Sequence, residues 1–362
     1  MTERIKIAVI VLRNDSRDGR LKRQISALEE AGYRINLQYL FSDNLERGNL
    51  SGLSRFFQII YFQFRKYLLL IRFFCFSPKL IIAHEPESLS AIKKYVKYTK
   101  TPLIYDAHEF YEEQRGVTLS RIKWLKRTYN ECANLITSMI TVSPGLVKLY
   151  KNTYPLLPTP KVVCNAAIRD SLVKYDGRLH DEIGVERSTK ILLYQGGLWE
   201  HRGIEDVISA TKYLPKNWVT VFMGYGTMKK KLPLSQKLRC VEPKSQSELL
   251  SWISGATFGV IPYPDNSLNH RYCLPNKLWE FPLAGVPIIS RDLPCITRII
   301  EKWKIGFVYC RDGDGQTLAN IILRLTDKDR KLAVENCNLF SEKENWEKYK
   351  RIFLKIVKKS HL

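Results

Sequence analysis

The segment 274–287, with the sequence LPNKLWEFPLAGVP, combines residue types that suit the binding of phosphate and sugar hydroxyls. Pro275 and Asn276 form a turn, and a helix that opens after a turn presents unpaired backbone N–H groups to an anion. Lys277 adds a positive charge, and Glu280, one helical turn later, can accept hydrogen bonds from hydroxyl groups. The same pattern also describes an ordinary helix start with a solvated Lys–Glu pair, so other motifs must decide between the two interpretations.

Glycine-containing loops follow two other predicted strands in the same half of the chain. The first, at 196–197, precedes a helix with Arg202 at its entrance, where a cation meets the same anion as the helix dipole. The second, at 224–226, allows a backbone or base to approach closely. Neither contains a complete G-x-G-x-x-G or Walker motif, and each alone is compatible with a surface loop. Together with Lys277 they predict a nucleotide diphosphate site, whose loop residues are Gly196, Gly197, Gly224 and Tyr225.

Polar clusters follow three predicted strands in the first half of the chain, at 15–19, 84–85 and 105–109. The carboxyl ends of parallel strands lie on one edge of a sheet, so these clusters should converge. Histidine beside carboxylates can bind a hydroxyl or act as an acid or base, although a histidine bonded to backbone is the alternative. No His-x-x-x-His spacing or carboxylate triad occurs, so we expect no metal site. The candidates are Asp15, Arg17, Asp18, Gly19, His84, Glu85, Asp106, His108 and Glu109.

Strand and helix patterns alternate in both halves, which predicts two doubly wound α/β domains. The chain of 362 residues exceeds the size at which one core keeps growing. A polar stretch near 165–186 separates the halves, giving predicted domains 1–168 and 169–342. The amphipathic helix in 343–362 could pack back on the first domain. The predicted strands are 5–12, 34–40, 80–83, 103–105, 139–142, 161–164, 191–194, 218–222, 258–262 and 286–290.

The net charge indicates the kind of partner, and the cysteine content indicates the cellular compartment. The chain has 58 Lys and Arg against 36 Asp and Glu, a formal net charge of +22. This excess predicts an anionic partner, such as nucleic acid, an acidic membrane surface or a phosphorylated substrate. Its eight cysteines include no Cys-x-x-Cys pair, which favours small core residues in a reducing compartment over a zinc site. Because the N-terminus enters a strand directly, we expect no signal peptide and a cytoplasmic location.

The segment 53–76 is rich in Phe, Tyr, Ile and Leu. Its longest unbroken apolar run is the five residues 67–71, far short of the roughly 20 needed to span a bilayer. On a helix its four basic side chains fall within an arc of roughly 120°, the pattern of a helix in an anionic membrane interface. The alternative is a core helix with a solvated basic edge. The basic residues are Arg55, Arg65, Lys66 and Arg72.

Several longer motifs carry a family resemblance. They are YQGGLWEHRGIEDVISA (194–210), FMGYG (222–226), IPYPDNSLNHRYCLPNKLWEFPLAGVPII (261–289), AHEPESL (83–89), YDAHEFY (105–111) and TVSPGL (141–146). Dispersed over about residues 1 to 310, they resemble the retaining GT-B glycosyltransferases of family 4, bacterial enzymes of polysaccharide and glycolipid synthesis. The resemblance implies two Rossmann-like domains facing across a cleft, with the nucleotide-sugar mainly on the second domain and the acceptor on the first.

The resemblance also implies roles for individual residues. Glu280 would hold the donor ribose and Arg202 would contact the diphosphate. Asn276 and Lys277 would meet the phosphates, and His108 would lie near the transferred sugar. The loop that contains Asp15 and Gly19 takes the place of the acceptor-side loop.

The sequence departs from the family pattern at three positions. The first of two glutamates seven residues apart falls on Tyr272, so the sugar cannot be inferred by analogy. The first diphosphate cation falls on Gly197, which leaves Lys277 as its replacement. Pro282 should kink the short helix because it removes one N–H donor.

These observations predict a metal-independent hexosyltransferase without a cofactor. The expected donor is a nucleoside-diphosphate sugar, with UDP as the expected nucleotide. The expected acceptor is a hydroxyl of a lipid-linked saccharide, such as a polyprenyl-linked glycan, at the inner face of the cell membrane, with no specific nucleic acid. Two alternatives remain: a catalytically silent scaffold of this fold that binds membrane or nucleic acid by charge, and a sugar-nucleotide 2-epimerase. The sequence does not specify the sugar, the base of the nucleotide, the acceptor, the linkage or the oligomeric state.

Overall fold

The computed structural model describes residues 4–13, 18–41, 64–65, 67–169, 173 and 175–361. The chain divides into two compact units, Met1–Cys164 with Tyr349–Leu362, and Asn165–Lys348. Each unit contains a six-stranded sheet, and every described strand pair is parallel. The doubly wound α/β architecture predicted for both halves is therefore confirmed.

The sheet of the first unit has the strand order β2-β1-β3-β4-β5-β6. Strands β3 and β4 are buried at every position, as expected for parallel strands covered by helices on both faces. The order reverses between β1 and β3, and ligands of such folds bind beyond the carboxyl ends of the strands at this point. The strands are β1 (Lys6–Arg13), β2 (Arg34–Phe41), β3 (Leu80–His84), β4 (Leu103–Ala107), β5 (Ser138–Thr141) and β6 (Lys161–Val162).

Helices flank this sheet. The first begins at a cap in which Asp18 Oδ1 accepts a hydrogen bond of 2.9 Å from the backbone N–H of Leu21, which satisfies one of its orphan donors. Residues 67–76 form a helix (α2) inside the aromatic segment singled out above. The remaining helices are α1 (Gly19–Glu30), α3 (Glu85–Thr99), α4 (Leu119–Cys132) and α5 (Pro144–Thr153).

The second unit repeats the architecture with the order β12-β11-β10-β7-β8-β9, which reverses between β7 and β10. Its strands are β7 (Lys190–Gln195), β8 (Trp218–Met223), β9 (Leu238–Val241), β10 (Phe258–Ile261), β11 (Ile288–Arg291) and β12 (Gly306–Tyr309). Its helices are α6 (Arg178–Ile183), α7 (Ile204–Thr211), α8 (Leu249–Ile253), α9 (Leu268–Tyr272), α10 (Lys277–Leu283), α11 (Pro294–Trp303), α12 (Gly315–Arg324) and α13 (Asp327–Lys343). The sequence did not predict β9 and β12, the two edge strands.

The last helix, α14 (Trp346–His361), contributes its residues from Tyr349 onward to the first unit. Lys350 forms an ion pair with Glu30 of α1. His361 Nε2 lies 3.0 Å from the Tyr33 hydroxyl. None of the helices in the described ranges is both long and apolar enough to cross a bilayer.

Candidate functional site

The two glycine loops of the second unit lie side by side at the carboxyl ends of β7 and β8. The backbone N–H of Gly196 donates to Met223 O at 2.9 Å, and that of Leu198 donates to Tyr225 O at 2.7 Å. A Cβ on Gly224 would lie 1.8 Å from the carbonyl oxygen of Gly196. Only glycine permits this approach, so the two loops form one rigid wall.

Lys277 brings a buried positive charge to this wall. Its side chain is almost inaccessible, with 7% of the residue exposed. Its Nζ donates to the hydroxyl of Tyr263 at 2.8 Å and lies over the rings of Tyr194 and Tyr263, 5.2 and 5.0 Å from their centroids. Among the described residues no carboxylate lies within ion-pair distance of this ammonium. Since an uncompensated buried charge is costly, Lys277 favours an anion beside it.

The direction of Lys277 is fixed by the first glycine loop. A Cβ on Gly196 would lie 2.9 Å from Lys277 Nζ, and the φ angle of Gly196 is +117°. The ammonium therefore lies directly against the turn after β7. An anion bound at this turn would meet the positive charge at hydrogen-bond range.

Glu280 lies one turn further along α10 and is 6% exposed. Asn276, which precedes α10, is exposed and makes no side-chain cap bond. The helix has only seven residues and ends one residue after Pro282, so the proline lies in its last turn. A helix this short has a weak dipole, and Lys277 is therefore the main source of positive charge in this segment.

Arg202 shares an aromatic partner with Lys277. It lies on the turn Glu200–Arg202, before the start of α7, and its guanidinium carbon is 4.9 Å from the ring centroid of Tyr263. The ring of Tyr263 thus lies close to two cations, the guanidinium of Arg202 and the ammonium of Lys277. Sequence reasoning missed Tyr263, although its position directly after β10, the strand next to β7 where the sheet order reverses, was a usable signal.

His270 extends this aromatic region. Its ring stacks on Tyr263 at 5.3 Å and on His201 at 5.8 Å. Burial, with the nearby charge of Arg202, lowers the pKa of His270 to about 4. Its Nδ1 lies 3.1 Å from the carbonyl oxygen of Pro264, an acceptor, so the ring is neutral with its proton on Nδ1. It adds stacking surface to the region without adding charge.

In the first unit a buried ion pair lies beneath the carboxyl edge of the sheet. Arg20 of α1 donates to both carboxylate oxygens of Asp106 at 2.8 Å, and to the carbonyl oxygen of Val163 at 2.6 Å. Gln24 Nε2 donates to Asp106 Oδ2 at 2.7 Å. Burial opposes ionisation of Asp106, but the Arg20 guanidinium and the neighbouring histidines hold its pKa well below the usual range. The predicted residue Asp106 is thus the centre of a hydrogen-bond network. The sequence did not predict its partners Arg20 and Gln24.

Two histidines complete this network. His84 Nδ1 lies 3.0 Å from His108 Nε2, and each atom lies 3.7 Å from Asp106 Oδ2. His84 is fully buried, and burial lowers its pKa to about 4 in spite of Asp106. Burial also opposes the charged form of His108, but the Asp106 charge outweighs it and raises the His108 pKa. The side chain of His108 is 23% exposed and is the accessible end of the pair.

The hydrogen-bond partners indicate the tautomer of the pair. His84 Nε2 is buried without a hydrogen-bond partner within the described part of the chain. A neutral His84 therefore places its single proton on Nδ1 and donates it to His108 Nε2. When His108 is also neutral, its Nε2 accepts this hydrogen bond and its own proton is on Nδ1. It can offer that N–H as a hydrogen-bond donor.

The potential ligand atoms of His84, Asp106 and His108 lie within 4.8 Å of one another, which is close enough for the three to hold one metal ion. Spacing along the sequence did not show this because the three residues come from two different strands. Asp106 already accepts three hydrogen bonds, two of them from the cationic Arg20. A cation there would be opposed by the guanidinium, so the donor set fits a proton-sharing network better than a metal ion.

The remaining predicted residues of the first unit make local contacts. Glu85 has φ +63° and accepts a hydrogen bond of 2.9 Å from the backbone N–H of Leu12. Burial raises its pKa. The carboxylate of Glu109 accepts from Gln114 Nε2. Gly19 begins α1 after its cap, and the predicted acceptor residues Asp15 and Arg17 lie outside the described residues.

The two described basic residues of the aromatic segment form hydrogen bonds with residues of β2. Arg65 donates to the carbonyl oxygen of Tyr39 at 2.7 Å, and Arg72 donates to Gln38 Oε1 at 2.9 Å. Two further predicted residues, Arg55 and Lys66, lie outside the described ranges. Apolar side chains occupy the solvent side instead and form what we term the α2 face: Phe64, Tyr67, Ile71, Phe74 and, from α3, Tyr98.

Two six-stranded parallel sheets of this order define the GT-B fold, and comparison with solved structures confirms it. Sucrose-phosphate synthase from Thermosynechococcus elongatus matches with a TM-score of 0.74 and 13% identity, covering 98% of this chain and 99% of that chain. HepE of Anabaena in complex with UDP-glucose matches with a TM-score of 0.73 and 13% identity, covering 98% and 100%. WaaG, a glycosyltransferase involved in lipopolysaccharide biosynthesis, matches with a TM-score of 0.67 and 13% identity, covering 96% and 99%.

The chain thus has the fold of the GT-B glycosyltransferases. At these identities the similarity concerns the fold, and membership of family 4 stays a prediction. No protein-family model matches the sequence, and no curated protein matches it.

Proposed function

We propose that this protein transfers a hexose from a nucleoside-diphosphate sugar to a hydroxyl group of a saccharide acceptor. The observation that carries the proposal is Lys277, a buried ammonium without a carboxylate partner among the described residues, held against the turn at Gly196. A diphosphate supplies the negative charge that this position favours. HepE and the trehalose-6-phosphate protein from Escherichia coli, which share the fold, are complexes with UDP-glucose and UDP-2-fluoro-glucose, and this supports UDP as the nucleotide.

The donor would bind along the carboxyl edge of the second sheet. Lys277 and Arg202 would contact the diphosphate, and Glu280 would accept hydrogen bonds from the ribose hydroxyls. The loops that contain Gly196, Gly197, Gly224 and Tyr225, together with Asn276, would surround the phosphates and base. As the glycosidic bond breaks, the departing diphosphate gains charge. Fixed cations beside it stabilise that charge where it develops, without a metal ion.

The first unit would supply the acceptor side. His108 would donate a hydrogen bond from its Nδ1–H to an oxygen of the transferred sugar or the acceptor, with His84 holding the ring and Asp106 beside both histidines. In a retaining, same-face reaction the leaving phosphate oxygen takes the proton of the acceptor hydroxyl, so no protein base is required. Glu85, Glu109 and the loop around Asp18 would then shape the acceptor site.

We also propose that the protein works at an anionic membrane surface, on a lipid-linked acceptor. The α2 face places aromatic and aliphatic side chains in solvent, with Tyr67 65% and Phe74 52% exposed. Such a face inserts into the headgroup region, and the formal net charge of +22 attracts anionic lipids. The sequence predicts that basic side chains of this segment contact the membrane. Since Arg65 and Arg72 form hydrogen bonds with residues of β2, the apolar side chains of the α2 face would contact the membrane instead.

The test is a screen of thermal stabilisation with nucleoside diphosphates and their sugars, followed by an assay of sugar transfer. We expect stabilisation by one diphosphate, and weaker binding of that ligand to Glu280→Ala. Donor binding without transfer to any saccharide would favour the silent scaffold, and conversion of the free donor sugar would favour the epimerase. The absence of stabilisation by every diphosphate would contradict the proposed function.

A further inference from the structure

The indole ring of Trp199 fills the space beside Gly197. A Cβ on Gly197 would lie 2.6 Å from Trp199 Nε1 and 2.8 Å from Cδ1. The backbone of Gly197 is not in the left-handed region, in contrast to Gly196. Residue 197 therefore lacks a side chain because the indole occupies that volume, and not because of its φ angle.

The position of the indole is fixed by its neighbours. Its ring meets that of Tyr225 edge to face, with centroids 6.2 Å apart and an interplanar angle of 89°. The preceding residue, Leu198, is bonded to the second glycine loop through Tyr225 O at 2.7 Å. Trp199 O accepts the backbone N–H of Arg202 at 3.0 Å. Among the described residues, no hydrogen-bond acceptor is paired with the indole N–H.

Two donors thus lie against consecutive glycines. Lys277 Nζ faces Gly196 at 2.9 Å from its Cβ position, and Trp199 Nε1 faces Gly197 at 2.6 Å. One donor is cationic and the other is neutral, and both border the same turn after β7. An indole N–H can only donate hydrogen bonds, and the oxygens of an oxyanion bound at this turn would be suitable acceptors for it.

We propose that Trp199 is a binding residue of the site, whose Nε1–H donates a hydrogen bond to an oxygen of the same diphosphate that Lys277 holds. This inference rests on the proposed function and adds a neutral donor to it. A neutral donor fixes orientation, while a cation supplies long-range attraction that salt screens. The contribution of Trp199 to affinity should therefore persist at high salt.

The direct test compares Trp199→Phe, which keeps an aromatic ring but removes the N–H, with the control Trp303→Phe in α11. By calorimetry the Kd for UDP should rise about tenfold to a hundredfold in Trp199→Phe, which corresponds to one hydrogen bond to a charged group. The factor should be similar at low and high salt. Trp303→Phe should bind as the unmodified protein does.

A second measurement does not depend on how well a variant folds. In protein with 15N-labelled indoles, UDP should move the Nε1–H resonance that is missing from the spectrum of Trp199→Phe. Unmodified protein that binds UDP with no shift of this resonance, and with equal affinity in Trp199→Phe, would overturn the inference and leave the proposed function intact. Failure of the unmodified protein to bind any nucleoside diphosphate would overturn both.

Discussion

His84 Nδ1 lies 3.0 Å from His108 Nε2 at the carboxyl edge of the first sheet. The buried ring has a pKa lowered to about 4 by burial and stays neutral. The partly exposed ring has a raised pKa because the charge of Asp106 outweighs burial. A neutral histidine that donates to its neighbour sets the tautomer of that neighbour. His108 is thereby prepared to act as a hydrogen-bond donor, in keeping with the proposed contact to a sugar or acceptor oxygen.

Replacement of His108 should therefore affect transfer more than donor binding. We expect His108→Gln to lower kcat about a hundredfold, the usual scale of one positioned hydrogen-bond donor in an active site. The Kd for UDP should stay unchanged, because the diphosphate contacts belong to the other unit. His361→Gln, which changes a histidine of the last helix, serves as the control. A normal kcat in His108→Gln would remove this residue from the reaction.

Removal of one partner of the buried ion pair between Arg20 and Asp106 should destabilise the fold strongly. Asp106→Asn leaves the Arg20 guanidinium buried without its counter-charge, and breaking such a pair costs about 3–5 kcal/mol. The free energy of unfolding, measured in urea, should fall by that amount. Arg127→Met breaks the surface pair with Glu131 and should cost less than about 1 kcal/mol. Equal effects of the two substitutions would show that the buried pair has no special role.

Glu112 should make stability decrease as the pH rises from about 4.5 to about 7. Both of its carboxylate oxygens are buried without a hydrogen-bond partner among the described residues, and burial raises its pKa from 4.5 to about 7. The unfolded chain loses this proton near pH 4.5 and the folded chain near pH 7. The stabilising contribution of the protonated form is therefore complete below pH 4.5 and is lost as the pH rises through 7.

Glu112→Gln, which is neutral at every pH, should accordingly raise the free energy of unfolding at pH 8 by about 1–2 kcal/mol. At pH 4.5 it should have little effect. The exposed Glu335→Gln is the control and should be neutral at both pH values. Destabilisation of the protein by Glu112→Gln at pH 8 would contradict this account, because it would show that the ionised carboxylate accepts hydrogen bonds in the folded protein.

The α2 face should mediate membrane binding. Tyr67→Ser with Phe74→Ser should reduce flotation with anionic liposomes several-fold, because these side chains supply apolar area to the interface. The control is Leu332→Ser with Leu339→Ser, which removes two exposed apolar residues from α13. High salt should release part of the bound protein. Equal flotation of both double variants would exclude the α2 face as the contact.

The sequence predicts the strands that are continuous apolar runs, such as β1 and β8, because burial on both faces leaves a local signal. It does not reveal β9 and β12, which have four residues each and lie at the sheet edges, partly exposed. The start of α13 has a signal that can be read from the sequence, the capping box of Thr326 and Asp329.

The candidate site residues likewise differ in whether the sequence indicates them. Lys277 and Glu280 are recognisable because they lie in one short segment with a turn and a glycine stop. The partners of Asp106 are not, because Arg20 lies 86 residues away in the chain and meets it only through the packing of α1 on the sheet. Trp199 is a similar case. Its proposed binding role depends on the position of its ring beside Gly197, which no spacing in the sequence encodes.

The central claim is that the buried ammonium of Lys277 holds a nucleotide diphosphate. The most direct measurement is the Kd of UDP by calorimetry at low salt for the unmodified protein, for Lys277→Met and for the exposed control Lys216→Met. Loss of a charge-assisted contact of about 1.5–3 kcal/mol predicts a rise in Kd of about tenfold to more than a hundredfold for Lys277→Met, and no change for Lys216→Met. Equal affinities in all three proteins would contradict this account.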